Sequence, residues 1–309
     1  MSESNNLCVS ICICTYKRPQ MLAALLRSLV GQQFPLQQMQ IVVVDNDEGG
    51  SAAQSVKDFE EAYPSANVHY VIEPLQGIAH ARNRTVMHAT ADLLAFVDDD
   101  EEVSPNWLTS LYACLMAHKA DAVLGPILPK YPPGTSGWVI ASGIFDRGRF
   151  KTGTPMTWGD GHTGNALVKA KWLRERKPYS FDIKLAHSGG EDTNFFKWMQ
   201  SQGGILIWCD EAEVFEEVPF ERQRLVFILK RSFNTSVTYW SPHFAVHTLP
   251  WCLIQASIGF VRGSALLVYG LLQFPFGLRF SVFSWATSAK GFGRLAALAK
   301  ANVISYGKK

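Results

Sequence analysis

Apolar and polar positions along the first hundred residues form blocks that predict strands and helices in turn. Four continuous apolar runs predict buried strands, at residues 7–14, 40–44, 68–72 and 92–97. Between them, helical spacing of apolar residues predicts helices over 19–30 and 78–89, and a third from about Ser51. Continuous apolar strands that alternate with amphipathic helices are typical of a largely parallel sheet covered on both faces. We therefore predict an α/β fold with a Rossmann-like, mostly parallel sheet.

Polar residues follow three of these strands directly. They are Thr15 to Arg18, Asp45 to Asp47 and Asp98 to Asp100. The carboxyl ends of parallel strands meet at one edge of a sheet, and ligands of open α/β sheets bind there. This edge is therefore the predicted site.

The third of these segments begins a run of five carboxylates, from Asp98 to Glu102. Because adjacent acids repel one another, the run favours an external cation. In an extended chain Asp98 and Asp100 would point to the same side, and Mg²⁺ or Mn²⁺ held by them could complete its shell with substrate phosphate oxygens. A solvated acidic turn that caps a helix beginning at Ser104-Pro105 is the alternative interpretation.

The second half of the chain is less regular. A Pro- and Gly-rich, aromatic stretch covers 125–164, and long ordered loops of this kind usually shape sites. Strand character resumes at 164–168, a helix is expected between 189 and 204, and a last strand at 205–209.

Composition excludes several classes of function. The 309 residues are 47% hydrophobic and carry a net charge of +2, which gives no reason to expect nucleic acid as a partner. The six cysteines lack the spacing of zinc ligands on turns, so buried, reduced thiols are favoured over a zinc site. Residues 1–6 are polar and lack the features of a signal peptide, so the catalytic part is expected in the cytoplasm.

Six segments, taken in order, resemble inverting glycosyltransferases of family 2, which have the GT-A fold. They are VSICICTYKRP, VVVDND, GIAHARN, FVDDD, GGEDTNFF and EEVPFERQR. The resemblance covers about residues 7–235, and within the family it is most similar to bacterial exopolysaccharide enzymes of the succinoglycan-biosynthesis type. It implies a nucleotide-diphosphate sugar as donor.

For the donor site, the resemblance implies that Asp45 contacts the nucleotide base and that Thr15 and Tyr16 line the same pocket. It also implies that Arg82 reaches the nucleotide or its diphosphate, since an Arg fork suits phosphate oxygens. An Arg on an amphipathic helix is also typical of a solvated face. The further candidates for donor binding are Arg18, Asp47 and Asp99.

For catalysis, Asp98 and Asp100 match the family's DxD motif, with Asp100 favoured as the direct ligand of Mg²⁺ or Mn²⁺. Glu191-Asp192 resembles the ED motif, in which the aspartate is the general base that takes the acceptor's hydroxyl proton. From local sequence alone, Asp192 is equally typical of a helix N-cap.

The EEVPFERQR segment departs from the family pattern, because many relatives carry a metal-ligating histidine there. Glu217, or phosphate and water, would have to complete the metal shell. Arg222, Arg224 and Arg231 follow, and they could clamp the diphosphate, although a basic helix face is an equal interpretation for Arg224. His162 is a further candidate for contact with a sugar.

From Phe244 to Trp285 the chain is strongly apolar and aromatic. Because Pro250, Arg262 and nearby residues interrupt the two best runs, we expect interfacial helices on the cytoplasmic face of the inner (plasma) membrane, with basic residues at the headgroups. A spanning helix, a dimer interface or packing on the catalytic domain are the alternatives. The expected domains are 1–235, catalytic, and 236–309, membrane-associating.

These expectations predict transfer of a hexose, most often from a UDP-sugar, to a polyprenyl-diphosphate-linked saccharide in cell-surface polysaccharide biosynthesis. Two rival functions remain. A sugar nucleotidyltransferase would usually show a Gly-rich phosphate loop, which Thr15 to Pro19 lacks. A catalytically silent membrane adaptor of the same fold would not need the carboxylates of Asp98, Asp100, Glu191 and Asp192, which are all present.

Overall fold

The computed structural model describes residues 8–186 and 189–306 and divides the chain into two compact units. The first unit contains the residues up to 129 and 147–217, and the second contains 130–146 and the residues from 218 onward. The expected division at residue 235 falls inside a helix, Leu225–Val246.

The first unit is built on a seven-stranded sheet with the order β3-β2-β1-β4-β8-β6-β9. Its strands are β1 (Val9–Thr15), β2 (Met39–Asp45), β3 (Asn67–Ile72), β4 (Leu93–Val97), β6 (Ala122–Leu124), β8 (Asn165–Lys169) and β9 (Leu206–Trp208). β1 runs parallel to β2 and β4, β2 to β3, and β6 to β9, whereas β8 is antiparallel to β4 and β6. The prediction of a mostly parallel sheet is confirmed.

Three shorter strands form a second sheet with the order β5-β10-β7. They are β5 (Glu101–Val103), β7 (Ile127–Lys130) and β10 (Val214–Glu217). β5 is antiparallel to β10, with Val103 opposite Val214.

The first unit's helices are α1 (Pro19–Val30), α2 (Ala53–Ala62), α3 (Ile78–His88), α4 (Trp107–Ala117), α6 (Ala170–Glu175) and α7 (Glu191–Ser201). They cover both faces of the sheet. Ile11 and Ile13 of β1 pack on one side with Leu25 of α1, whereas Cys12 packs on the other side with Phe96. Strands buried on both faces explain why the apolar runs are continuous rather than alternating.

The helix expected at Ser104-Pro105 begins later, at Trp107, with Asn106 as its N-cap residue. The chain stays extended through Val103 because it pairs with β10, and the Ser104 N–H donates to the Glu213 carbonyl. The acidic run therefore leads into a strand, not directly into a helix.

No disulfide joins any of the six cysteines, all of which lie in the described part of the chain, and none is fully exposed. Burial raises the pKa of the Cys12 thiol to about 12. Among the described residues no set of three His, Cys, Asp or Glu side chains is arranged to hold a metal ion. Cys12, Cys114, Cys209 and Cys252 are buried, whereas Cys8 and Cys14 are half-buried.

The second unit consists of α5 (Gly137–Ser142), α8 (Leu225–Val246), α9 (Leu249–Gln273) and α10 (Leu278–Tyr306). Residues 130–146 belong to it because Trp138 and Phe145 pack on the cluster of Ile228, Val282 and Ala286. α9 and α10 approach closely at Gly291, where a Cβ would lie 2.4 Å from the Gly259 carbonyl oxygen.

α9 is a continuous helix that includes two of the residues expected to interrupt its apolar run. Pro250 lies in its first turn, where a missing N–H breaks no hydrogen bond, and Arg262 is carried within the helix. By its length and composition, the segment Leu249–Phe276 is long and apolar enough to cross a membrane.

Candidate active site

The acids after β4 form a turn rather than an extended segment. The Glu101 N–H donates to the Asp98 carbonyl oxygen at 3.2 Å, and residues 98–100 bend. The expectation that simple strand alternation points Asp98 and Asp100 to one side is therefore wrong. The turn instead directs Asp98 to α3, and Asp99 and Asp100 to the end of β1 and the residues after it.

Asp99 is bound to the end of β1. Its carboxylate accepts a hydrogen bond from the Thr15 hydroxyl at 2.7 Å and from the Arg18 guanidinium at 3.0 Å. Arg18 also reaches Asp100, at 3.2 Å. Burial raises the pKa of Asp99, while Thr15 and Arg18 oppose that rise. Because Arg18 is 44% exposed, it bridges these two acids from the solvent side.

Tyr16 lies beside this bridge and is largely exposed. Its hydroxyl accepts a hydrogen bond from the Gln76 side chain at 2.8 Å. Lys17 follows in a left-handed conformation with φ of +56°, and its ammonium lies 5.2 Å from the centre of the Tyr16 ring. The segment thus presents an aromatic face and two cations at the edge of the sheet.

At the end of β2 the acid is fully enclosed. The Asp45 carboxylate accepts hydrogen bonds from the backbone N–H groups of Asp47 and Ala52 and from the Tyr70 hydroxyl, all within 3.0 Å. These contacts order the loop that follows β2. The expected contact of Asp45 with a base stays a prediction. Of the two acids Asp47, which pairs with Lys17 at 3.8 Å, is the more accessible.

Asn46, which the sequence interpretation missed, ties two loops together. Its amide donates to the carbonyls of Glu73 and Leu75 and accepts from the Gly77 N–H at 2.8 Å. Gly77 has φ of +132°, and a Cβ there would lie 2.6 Å from the Ala186 Cβ, so only glycine fits before α3. This arrangement fixes the start of α3. An Asn directly after a strand is a signal for such bridging.

Arg82 of α3 is buried between two carboxylates. One terminal nitrogen pairs with Glu191 Oε1, and the other lies 3.4 Å from Asp98 Oδ1. Burial lowers the pKa of Arg82, but the charges of Asp98 and Glu191 outweigh that effect and the pKa is raised overall. Arg82 thereby joins the DxD segment to the ED segment, a link that the sequence interpretation did not predict.

Glu191 is the first residue of α7 and is almost fully buried. Burial raises the pKa of its carboxyl, and the positive charge of Arg82 opposes the rise. Its Oε2 has no hydrogen-bond partner among the described residues. Glu191 is therefore suited to hold Arg82 in place.

Asp192 is not the N-cap of α7, because Gly190 occupies that position with φ of +88°. The Asp192 Oδ1 accepts a hydrogen bond from the Thr193 N–H at 2.6 Å, and Oδ2 makes no hydrogen bond within the part of the chain that is described. A carboxylate in the first turn is favoured by the helix dipole. The side chain thus has a fixed direction and one oxygen available for a proton.

After Glu191 and Asp192, His162 is the third candidate side chain near the start of α7. Burial lowers its pKa to about 4, and the charges of Arg147 and Asp192 act on it. Its Nδ1 is buried with no hydrogen-bond partner among the described residues. The imidazole is therefore neutral at physiological pH and can donate or accept a hydrogen bond beside Asp192.

The carboxylates could supply only some of the oxygen ligands that a divalent cation needs. Asp98 is 44% exposed, and a Cβ at Gly164 would lie 3.2 Å from its Oδ2 and 3.0 Å from Glu101 Oε1, so glycine keeps that space open. Hard oxygen ligands of this kind suit Mg²⁺ or Mn²⁺. Glu217 does not complete a set of three ligands with Asp98 and Asp100 among the described residues.

The remaining candidates lie in β10 and in the residues that follow it along the chain. Glu216 of β10 pairs with Arg147 at 2.7 Å. Arg222, Arg224 and Arg231 belong to the second unit, where Arg224 is the N-cap residue of α8, so their part in diphosphate binding stays a prediction.

Known proteins resemble this chain in sequence and in fold. Residues 10–176 match the model of "Glycosyl transferase family 2". The chain is 36% identical over 245 residues to the succinoglycan biosynthesis protein ExoM of Rhizobium meliloti, covering 76% of this chain and 75% of that protein.

Two solved structures share the fold. The first 349 residues of Staphylococcus aureus TarS in complex with UDP superpose with a TM-score of 0.53 at 19% identity, covering 97% of this chain and 92% of the other. The mannosyltransferase PcManGT of Pyrobaculum calidifontis, in complex with GDP-Man and Mn²⁺, gives 0.58 at 19% identity, covering 97% and 75%. The fold is of the GT-A type, and the chain belongs to glycosyltransferase family 2.

Proposed function

We propose that this glycosyltransferase transfers a hexose, with inversion, from a UDP-sugar to a lipid-linked oligosaccharide in bacterial exopolysaccharide biosynthesis. The observation that carries the proposal is the buried Arg82, which joins Asp98 of the DxD segment to Glu191 of the ED segment. This link supports the proposal because it connects an expected metal ligand with the residue directly before the expected base, Asp192.

On the donor side, Asp98 and Asp100 would hold Mg²⁺ or Mn²⁺, which neutralises charge on the leaving diphosphate. Thr15 and Arg18 hold Asp99 and so fix the turn that carries these acids. Tyr16 offers an exposed ring for stacking on a base, and Asp47 offers an accessible acceptor. The UDP complex of TarS and the GDP-Man and Mn²⁺ complex of PcManGT support a nucleotide donor and a cation.

On the acceptor side, Asp192 would take the proton of the attacking hydroxyl. The acceptor oxygen bonds to the anomeric carbon while the bond from that carbon to the diphosphate oxygen breaks, and the nucleoside diphosphate leaves with the electron pair. One carboxylate on the acceptor side is sufficient for this in-line displacement. Glu191 and Arg82 position the base and the turn.

The lipid-linked acceptor is supported by two separate observations. The similarity to ExoM favours a role in exopolysaccharide assembly. The apolar α9, with Ile254, Val261 and Leu272 more than half exposed, favours attachment at a membrane, which we assign to the cytoplasmic face. A growing saccharide on a polyprenyl diphosphate would be presented at that surface.

A panel of nucleotide sugars scored by thermal shift, with and without Mn²⁺, tests the donor site. At 100 times its Kd a ligand stabilises a protein by about 2.7 kcal/mol. We expect one UDP-sugar to stabilise the wild type in the presence of Mn²⁺ and not to stabilise Asp100→Ala. Asp92→Ala, which removes an exposed acid before β4, is the matched control and should behave as wild type.

Stabilisation by the same UDP-sugar in Asp100→Ala would remove the metal assignment. Stabilisation by no nucleotide sugar, in detergent or in lipid nanodiscs, would overturn the proposed function and favour the silent adaptor.

A further inference from the structure

A cavity of about 510 Å³ lies between α3 and residues 173–183 of the first unit. Arg82 and Arg84 are two positions apart on α3 and so point about 200° apart around the helix. Arg82 meets Glu191, whereas Arg84 lines the cavity. The cavity is therefore distinct from the set of donor-side acids, and its size is that of a ligand pocket.

The charged residues of the lining are mostly basic, and we refer to the cavity as the basic pocket. Four permanent cations line it against a single carboxylate, that of Glu73. The cations are Arg84, Arg174, Arg176 and Lys177. Such a wall raises the local concentration of anions.

The walls are held in place without any ligand. Asn83 and Phe181 exchange two hydrogen bonds, at 2.8 and 2.9 Å. Arg174 donates to the carbonyls of Ala89 and Ala91. The segment that faces α3 is thus fixed by the protein's own contacts, and a bound group would not need to order it.

Two of the cations are not used by these contacts. Neither Arg84 nor Lys177 forms an ion pair within residues 8–186 and 189–306, and the buried Nε of Arg84 has no hydrogen-bond partner there. A buried guanidinium nitrogen without an acceptor is costly, and an anion would remove that cost. Phosphate oxygens fit an Arg fork together with a Lys ammonium.

The basic pocket adjoins the start of α7. Arg176, in its wall, donates a hydrogen bond to the side chain of Asn194, which lies two residues after Asp192. Tyr179 and Met87, also in the lining, are exposed and offer apolar surface beside the cations. Because Asn194 and Asp192 point about 200° apart around α7, a molecule whose anion occupies the pocket reaches the expected base by passing around the first turn of this helix.

We propose that the basic pocket binds the diphosphate of the lipid-linked acceptor, an inference that rests on the function proposed above. A second anion site, away from the acids that would hold the donor's diphosphate, keeps the two diphosphates from repelling each other. The saccharide then extends from the pocket to Asp192.

The test measures binding of inorganic pyrophosphate and of farnesyl diphosphate by titration calorimetry, with EDTA present so that metal-assisted binding at the donor site is absent. We expect both probes to bind the wild type. Arg84→Gln and Lys177→Gln should each weaken binding about tenfold or more, since a hydrogen bond to a charged group is lost. Lys184→Gln, an exposed lysine near the same segment but outside the lining, is the matched control and should bind as wild type.

Melting temperatures of the three variants identify any loss of folding, and donor stabilisation with Mn²⁺ should be unchanged in all of them. Absence of pyrophosphate binding to the wild type, or equal weakening by Lys184→Gln, would overturn the pocket while leaving the donor result intact. Binding of pyrophosphate without farnesyl diphosphate would assign the pocket to a free diphosphate and overturn the acceptor assignment. Loss of the donor response in the wild type would instead overturn the proposed function.

Discussion

The acids that follow β2 and those that follow β4 lie at the same edge of the sheet but have different partners. Asp45 is fully buried and accepts three hydrogen bonds from uncharged donors. Asp98 is 44% exposed and meets Arg82, while Asp99 and Asp100 share the partly exposed Arg18. An acid held by backbone N–H groups serves the loop, whereas an acid held by a long side chain can exchange that partner for a ligand.

The largest expected effect is on the turnover number of the enzyme. Asp192→Asn should lower the turnover number about 10²- to 10⁴-fold, which is the range for loss of a general base. Donor-induced stabilisation and the melting temperature should stay as in wild type. The measurement is single-turnover transfer with saturating donor, and Asp92→Asn is the matched control. A near-normal rate in Asp192→Asn would exclude Asp192 as the base.

Asp45→Asn tests the structural role of the β2 acid. The asparagine side chain has a single acceptor oxygen and cannot accept all three hydrogen bonds. The free energy of unfolding should therefore fall by about 2–4 kcal/mol, at roughly 1–3 kcal/mol per unsatisfied group. Chemical denaturation measures the loss. Donor binding by the folded variant should remain. If stability is kept and donor binding is lost, Asp45 contacts the base, as the family resemblance implies.

His162→Asn tests the electrostatics near Asp192. The folded-state pKa of His162 is about 4 against an ordinary value of 6.5, so between these values the unfolded chain binds more protons than the native state. Wild type should therefore lose about 1–3 kcal/mol of stability as the pH falls from 6.5 to 4. The variant should lack this loss.

The difference between the two proteins isolates His162 from the buried acids, whose raised pKa values act with the opposite sign. Asp99 and Glu191 are such acids. His118→Asn, a substitution at an exposed histidine, is the matched control. Identical pH dependence in wild type and His162→Asn would show that the imidazole does not titrate abnormally.

The smallest expected effect concerns Asp47, whose contact with the exposed Lys17 spans 3.8 Å. Asp47→Asn should change the free energy of unfolding by less than about 1 kcal/mol, because exposed ion pairs contribute little. Its effect on the Kd of the donor then decides whether the β2 end takes part in binding. An unchanged Kd would limit donor recognition to the β1 and β4 ends.

Local sequence was sufficient for the main elements of the sheet. The strands at β1, β2, β3 and β4 and the helices α1, α3 and α7 agree with their expected positions to within one or two residues at most ends. It failed at α4, because pairing of Glu101–Val103 with β10 depends on residues more than a hundred positions away. The prediction that Asp98 and Asp100 point to the same side of an extended chain was wrong for a similar reason. The turn that carries them is fixed by partners on β1 and α3.

The sequence by itself determined the parallel sheet and the edge at which the acids gather, because apolar periodicity and strand-end polarity are local properties. Its six motif segments determined the family by resemblance. Only the tertiary structure decided which acids are enclosed and which are available. It joined Arg82 to Glu191 across 109 positions, tied two loops through Asn46, and assembled the basic pocket from α3 and a segment ninety or so residues later. Burial and charge pairing depend on distances in space, and no local pattern encodes them.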